Sequence, residues 1–397
     1  MKILIATDNY IYNLGGVTAS VLALCAGLRR AGHEVRTLSL SNSSKSFRNG
    51  EDYYIRSFPT FINPDFRLSF AMRDPLIREL ESWKPDIIHV QSEGSANIIA
   101  RRIMKHCGVS IVQTCHTDYG YYIFGKFRSL ILVKGLMNIA GKIVFRHATK
   151  VTVPSPKAVS FPFVHSACDR LTVIPNGMEI EKYRKHLSAE ERKAFRLSMG
   201  IGTDVQTLVT VSRLSKEKNI RELISFLPRL LARMADVRLL IVGDGPDKKR
   251  LEKLTGKLGL SNHVIFTGRI PAADVWRWYD AGDVYVSAST FEVHSMSHLE
   301  ALANGLPMLC RADSALDGVL EQNRNGLAYH SQEEFTDFAC KLLKDDLLRE
   351  DMARCSAQKA EEFSSDVFAA SFIEVYEEAI RENKAITHRK DRKGNGK

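Results

Sequence analysis

Short β-branched apolar runs separated by amphipathic stretches recur through nearly the whole chain, and this alternation leaves few folds open. In the first half, residues 2–7, 33–40, 86–91, 110–114 and 150–153 read as strands, with a helix at 17–31 ending near Gly32. In the second half, residues 207–212, 237–242, 263–267, 283–287 and 306–311 read as strands. The clearest helix is 219–234, where Ile220, Leu223, Ile224, Leu227, Leu230 and Leu231 keep helical spacing. Apolar strands joined by helices predict an α/β, doubly wound chain with parallel sheets covered on both faces.

With 397 residues, the chain is long enough for two such cores. The alternation pauses between about 174 and 206, at Pro175-Asn176-Gly177 and a charged helix-like stretch, 188–199. We place the junction there, giving a first domain at 1–175 and a second at 176–365. A helix at 366–383 is expected to return to the first domain. The basic tail 384–397, with six Lys or Arg against one Asp, is expected to be disordered.

Composition removes several classes. An apolar fraction of 44% excludes a disordered chain, and no apolar run approaches the ~18–20 residues that span a bilayer. The N-terminus enters a strand at once and does not read as a signal peptide. Seven scattered cysteines without Cys-x-x-Cys fit reduced thiols in a cytoplasmic protein. A formal net charge of +10 asks for an anionic partner, but no zinc-finger or RNP-type signature points to nucleic acid.

Four motifs carry chemistry. Tyr12-Asn13-Leu14-Gly15-Gly16-Val17 joins the first strand to the first helix, where glycines let a ligand approach unpaired helix-start N–H groups. A plain βα turn explains it equally well, and it is neither a Gly-x-Gly-x-x-Gly nor a Walker loop. Arg213 and Lys218 stand across a tight turn at a strand's carboxyl end, placed to neutralise a diphosphate, although a solvated charged loop is the commoner fate of such a run. Val242-Gly243-Asp244-Gly245-Pro246 is a further strand-end turn. Finally, Glu292 and Glu300 are eight residues apart, with a helix starting near Ser295. One carboxylate then lies in the loop and the other about one and a half turns into the helix. Carboxylates accept pairs of hydroxyl hydrogen bonds, as a sugar and a ribose require, and N–H groups near His294, Ser295 and Met296 would meet a phosphate between them.

In order and spacing, Glu-x7-Glu, the Arg213/Lys218 pair, Val242–Pro246 and Gly15-Gly16 resemble the family 4 retaining glycosyltransferases, over about residues 1–380. The resemblance implies the GT-B fold, two facing Rossmann-like domains with a C-terminal helix, and a nucleotide-sugar donor held by the second domain. It implies that Arg213 and Lys218 hold the donor diphosphate, Glu300 the ribose and Glu292 the sugar hydroxyls. The backbone at Arg269 and Ile270 would meet the base, with Gly243 and the Gly15-Gly16 turn lining the donor. The chain departs from the family at His294-Ser295, where many members carry Phe-Gly or Gln-Gly. The absence of Asp-x-Asp argues against a metal-bridged donor, so no metal or other cofactor is expected. His116, in Gln113-Thr114-Cys115-His116-Thr117-Asp118-Tyr119, falls where the family places a His-Thr pair. The resemblance makes it face the donor sugar and leaving phosphate, with Asp118 touching the acceptor.

Residues 119–150 hold six cations, Lys126, Arg128, Lys134, Lys142, Arg146 and Lys150, and no acid. Aromatics crowd its start from Tyr119 onward, and Leu132, Leu136, Ile139 and Ile143 fall on one helical face. Two readings fit: an anionic membrane surface or a core helix with a basic wet side. The His116–Tyr122 stretch also resembles bacterial glycosyltransferases that glucosylate diacylglycerol. This implies a glucosyl donor linked to UDP, a lipid acceptor and a peripheral place at the inner face of the membrane. A transferase for soluble or polyprenyl-linked glycans, a sugar-nucleotide epimerase and a non-catalytic binding module stay open.

Overall fold

In the computed structural model, which describes residues 1–8, 15–59, 67–125 and 130–394, the chain divides into two units. One comprises Met1–Gly177 with Ser365–Lys397, the other Met178–Ser364. The side chains of Tyr122 and of residues 386–394 are outside that description, as are Tyr12, Asn13 and Leu14 of the first glycine motif and Lys126, Phe127 and Arg128 of the basic segment.

The first unit contains β1 (Lys2–Thr7), β2 (Glu34–Leu40), β3 (Phe47–Asn49), β4 (Asp52–Ile55), β5 (Phe58–Pro59), β6 (Arg67–Leu68), β7 (Ile87–Val90), β8 (Ser110–Thr114), β9 (Lys150–Val153) and β10 (Leu171–Val173). Among the described residues, eight of these form one sheet in the order β10-β9-β8-β7-β1-β2-β4-β3, while β5 and β6 pair by themselves. Every pairing in the large sheet is parallel except that of β3 with β4. The central strands are buried on both faces, so they read as largely apolar runs without a polar alternation. The second unit contains β11 (Gln206–Val211), β12 (Val237–Val242), β13 (Val264–Gly268), β14 (Val284–Ser287), β15 (Met308–Arg311) and β16 (Gly326–Tyr329), all parallel in the order β13-β12-β11-β14-β15-β16. Its core takes in the apolar stripe of helix Ile220–Leu231, with Ile220, Leu223, Ile224, Leu227 and Leu230 buried.

In both sheets the first strand is central. The chain runs from β1 to β2 on one side and returns to β7 on the other; from β11 it runs to β12 and β13, then returns to β14. Loops leaving these neighbouring strands part in opposite directions and open a crevice at the carboxyl ends.

The closing helix, Ser365–Gly394, packs in the first unit, with Phe368, Phe372 and Tyr376 in the same core as Ile3, Ile5 and Leu24. It also corrects an expectation: residues 384–394 continue this helix and are not a disordered tail. Lys and Arg are good helix formers, and once a helix is nucleated and anchored each added residue extends it at little cost. Two glycines let the helix seat. A Cβ on Gly27 would stand 2.1 Å from the Ser365 carbonyl oxygen, and one on Gly177 would stand 2.3 Å from Phe368 Cβ. Arg30 adds an exposed pair to Asp366 at 2.7 Å.

Gly27→Val should therefore lower stability by ~1–3 kcal/mol, the range for overpacking a closed interface. Thermal denaturation should show a clear fall in Tm, whereas Gly256→Ala, on an exposed helix face where a Cβ meets nothing within 4 Å among the described residues, should change it far less.

Candidate active site

In the second unit, three consecutive strand ends are stitched together by backbone. Ser212 N–H donates to Val242 O at 3.0 Å, Leu214 N–H to Asp244 O at 2.9 Å, and Gly243 N–H to Gly268 O at 3.1 Å. Glycine is required for this packing. Gly243 has φ +136° and its Cβ would lie 1.9 Å from Ser212 O, while a Cβ on Gly245 would lie 2.4 Å from Leu214 O. The Gly-Asp-Gly turn thus fixes the loop that carries Arg213 and Lys218. Arg269, exposed, and Ile270, half-buried, follow β13 on the same edge.

The crevice between β11 and β14 holds the charged groups. Lys218 Nζ donates to Glu292 Oε1 at 2.5 Å. Burial alone would raise the Glu292 carboxyl, but Lys218, reinforced by His298, holds it below the usual carboxylate range. Arg213 is exposed, and no carboxylate among the described residues pairs with it. Helix Met296–Ala303 starts beside them at Ser295, with no side-chain cap and no acid in its first turn, so its N–H groups remain available to an anion. His298, buried in that first turn against Tyr285, has neither ring nitrogen hydrogen-bonded among the described residues.

Glu300 lies deeper, and its oxygens are held separately. Tyr183 Oη donates to Oε1 at 2.9 Å and Tyr279 Oη to Oε2 at 2.7 Å. Burial pushes Glu300 up to about 7, against the opposing pull of both hydroxyls. Asn304 in turn holds the backbone of Tyr183, donating to its carbonyl at 2.9 Å. Neither tyrosine was singled out from sequence, because each lies far from Glu300 along the chain.

In the first unit, the crevice between β1 and β7 is closed by Asp8, which accepts from Gly94 N–H at 2.8 Å and Ala96 N–H at 2.7 Å and so caps the helix Ser95–Cys107. Beside it, Glu93 accepts from the Tyr119 hydroxyl, and burial pushes Glu93 up to about 7. His116, after β8, has its Nε2 2.6 Å from Gln91 Oε1, and burial pushes it down to about 4. Asp118 caps the helix Tyr119–Phe124, accepting from Tyr121 N–H at 3.1 Å. Gly15 begins helix Gly16–Arg30 with extended backbone that any residue adopts, and a Cβ there would meet nothing within 4 Å among the described residues.

Two family models match, and together they take in most of the chain. Glycosyltransferase Family 4 matches residues 14–182 and Glycosyl transferases group 1 matches residues 191–359. The chain is a glycosyltransferase. It is 26% identical over 402 residues to an alpha-monoglucosyldiacylglycerol synthase of Acholeplasma laidlawii, covering 98% of this chain and 100% of that one. It is 27% identical over 388 residues to the synthase of the same name from Streptococcus pneumoniae, covering 96% and 87%. Among solved structures, HepE of Anabaena in complex with UDP superposes with a TM-score of 0.73 at 20% identity, covering 95% of this chain and 100% of that one. The fold is GT-B, two Rossmann-like domains with parallel sheets.

In this transferase the His294-Ser295 departure is absorbed locally. Ser295 has φ −81° and ψ 124°, open to any L-residue, so no glycine is needed there. His294 is buried with its ring 5.6 Å from that of Phe363, filling the place of an aromatic side chain. The basic segment also resolves. In helix Ile131–Phe145, Met137, Gly141 and Phe145 face inward, whereas Leu132 is 86% exposed and Leu136, Ile139 and Ile143 are 51–58% exposed. The stripe is therefore surface and not core, with Lys134 and Lys142 exposed on the same helix.

The Glu300 environment sets a pH dependence. Its folded pKa stands above 4.5, so its contribution favours the fold below that value and is lost as pH rises through about 7. A ligand hydroxyl that donates to Glu300 needs the ionised acceptor, so binding of a hydroxyl-bearing ligand at this carboxylate should run the other way. UDP affinity by calorimetry should be about tenfold weaker at pH 6 than at pH 8, and Glu300→Gln should flatten that dependence.

Proposed function

We propose that this transferase moves a glucosyl group from UDP-glucose to a membrane-lipid acceptor such as diacylglycerol, with retention at the anomeric carbon and without a metal. The observation that carries the lipid reading is the exposed apolar stripe of Leu132, Leu136, Ile139 and Ile143 on a helix that also bears Lys134 and Lys142. An amphipathic helix with basic flanks binds an anionic bilayer by charge and shallow insertion. No helix among the described residues is long and apolar enough to cross a membrane, so contact through this surface suits the chain. The names of the two bacterial relatives support the acceptor, and HepE, solved with UDP-glucose, supports the donor.

The chemistry follows from the second-unit crevice. In the transfer, the bond from C1 to the diphosphate oxygen breaks, a bond from C1 to the acceptor oxygen forms on the same face, and the acceptor proton passes to the departing phosphate. Charge on that phosphate grows in the transition state. Arg213, Lys218 and the start of helix Met296–Ala303 are its stabilisers. Lys218 would then be shared between Glu292 and phosphate, leaving Glu292 to accept sugar hydroxyls, while Glu300 accepts from ribose. Arg269 and Ile270 lie at the edge suited to the base.

The test is a donor panel with diacylglycerol in phosphatidylglycerol vesicles, read by mass spectrometry. UDP-glucose should give a monoglucosyl lipid, and EDTA should leave the rate nearly unchanged. Arg213→Ala should lower kcat more than donor affinity, because the charge it meets is largest in the transition state. An unaltered kcat in both Arg213→Ala and Lys218→Ala would remove the diphosphate assignment.

Membrane binding is checked separately. Changing Lys126, Arg128, Lys134 and Lys142 to Gln should reduce co-sedimentation with anionic vesicles, at ~1 kcal/mol per charge, and leave UDP affinity alone. Leu132→Ser with Leu136→Ser should weaken binding even at high salt. Equal sedimentation of all variants would remove the membrane reading.

A further inference from the structure

His89 is a fully buried imidazole in the middle of an apolar strand, opposite Ile5 on one side and Val112 on the other. Its two nitrogens are both engaged. Nδ1 lies 2.6 Å from the Tyr376 hydroxyl on the closing helix, and Nε2 lies 2.7 Å from Thr114 Oγ1, which in turn lies 2.6 Å from Thr152 Oγ1. The amide nitrogen of Gln91, two residues on, stands 3.2 and 3.3 Å from the His89 ring nitrogens. The other end of that amide, Oε1, receives His116 Nε2 at 2.6 Å.

An amide side chain has fixed polarity, since its oxygen only accepts and its nitrogen only donates. With Gln91 nitrogen turned to His89, its oxygen must face His116, and the proton of a neutral His116 must then sit on Nε2. Nδ1 is left as a lone-pair acceptor. We propose that Gln91 is a positioning residue that fixes this tautomer of His116, so that Nδ1 can accept a hydrogen bond from a substrate hydroxyl, and that Tyr376 secures Gln91 through His89. The inference rests on the transferase reading of the first unit's strand ends. Burial keeps both imidazoles neutral at physiological pH, with His116 pushed down to about 4 and His89 to about 3. The other ionisable groups beside this relay are Asp8, Glu93, Cys115, Asp118 and Tyr119, and the closing helix brings Tyr376 against His89. The closing helix thereby gains a role in the site beyond packing.

The tautomer can be read without activity. Long-range 1H–15N spectra of the full-length protein, labelled at histidine and assigned with His116→Gln, should show His116 with Nε2 protonated and Nδ1 bare. Gln91→Leu should mix the tautomers and lower kcat ~10- to 100-fold, the scale for a misplaced reacting group, with UDP affinity unchanged. Gln91→Glu keeps an acceptor for Nε2–H but adds a charge that draws a second proton onto Nδ1. Its activity should survive at high pH and fall off at a higher pH than in the wild type. Tyr376→Phe should shift the same signals with a smaller loss of kcat.

A Gln91→Leu protein that melts like the wild type and keeps both tautomer and kcat would overturn the proposal. If Gln91→Leu does not fold, an unshifted pH profile in Gln91→Glu overturns it instead. A wild type that glucosylates no lipid counts against the acceptor assignment alone, because the spectra still decide the tautomer.

Discussion

Parallel pairing around a central first strand is the constraint on which the rest of the molecule depends. A parallel neighbour needs a crossover, and crossovers are right-handed, so placing helices on both faces obliges the chain to return to the far side of its first strand. The return happens between β1 and β7 in one sheet and between β11 and β14 in the other. At each point the outgoing loops diverge, and polar groups that no strand could bury are gathered at one end. Asp8, Gln91 and Glu93 stand at the first such point; Arg213, Lys218 and Glu292 stand at the second. The chemistry is located by strand order before any individual side chain is considered.

Divergent loops must still be held still, and backbone achieves this at close range. The contacts of Gly243 and Gly245 with Ser212 and Leu214 leave no room for a side chain. Gly94 does the same against the Asp8 carboxylate, where a Cβ would lie 2.5 Å from Oδ2. In these cases the absence of a side chain serves loop-to-loop packing. Gly15 differs, because no described residue lies within 4 Å of where its Cβ would stand.

How much of this was legible depended on whether the cause was local. Strands in the sheet centres are buried on both faces and carry largely apolar runs, so their positions followed from sequence. The short edge elements Phe47–Asn49, Leu171–Val173 and Gly326–Tyr329 have three or four residues each and no distinctive period, and they were missed. The basic tail misled because its composition is that of a solvated segment, while its helical state is inherited from the anchored turns at Phe368–Tyr376. Arg213, Lys218, Glu292 and Glu300 could be picked out by spacing within loops and one helix. Gln91 and Tyr376 could not, since the relay that joins them depends on His89 meeting a residue 287 positions away. The apolar stripe of helix Ile131–Phe145 had a clear period, but period alone does not tell a core face from a surface one. Gly141, whose Cβ would stand 1.9 Å from Phe163 O, fixes the opposite face inward and so turns the stripe outward.

The two glutamates show how one short stretch supplies unlike chemistry. Both are shielded from water, which favours the neutral acid. Glu292 meets the full positive charge of Lys218 and stays ionised, so it can accept from hydroxyls while also restraining the ammonium. Glu300 meets two phenol hydroxyls, which stabilise the carboxylate less than a cation does, and its proton leaves only near neutrality. Replacing Tyr183 and Tyr279 by one cation would hold Glu300 charged but would set a salt bridge against any incoming hydroxyl. Neutral donors avoid that competition. Each phenol uses one lone pair of its oxygen, leaving another for a ligand hydroxyl, and both oxygens remain aimed. The spacing of the pair puts one glutamate in a loop beside a cation and the other on a helix facing tyrosines, and that difference in surroundings separates their roles.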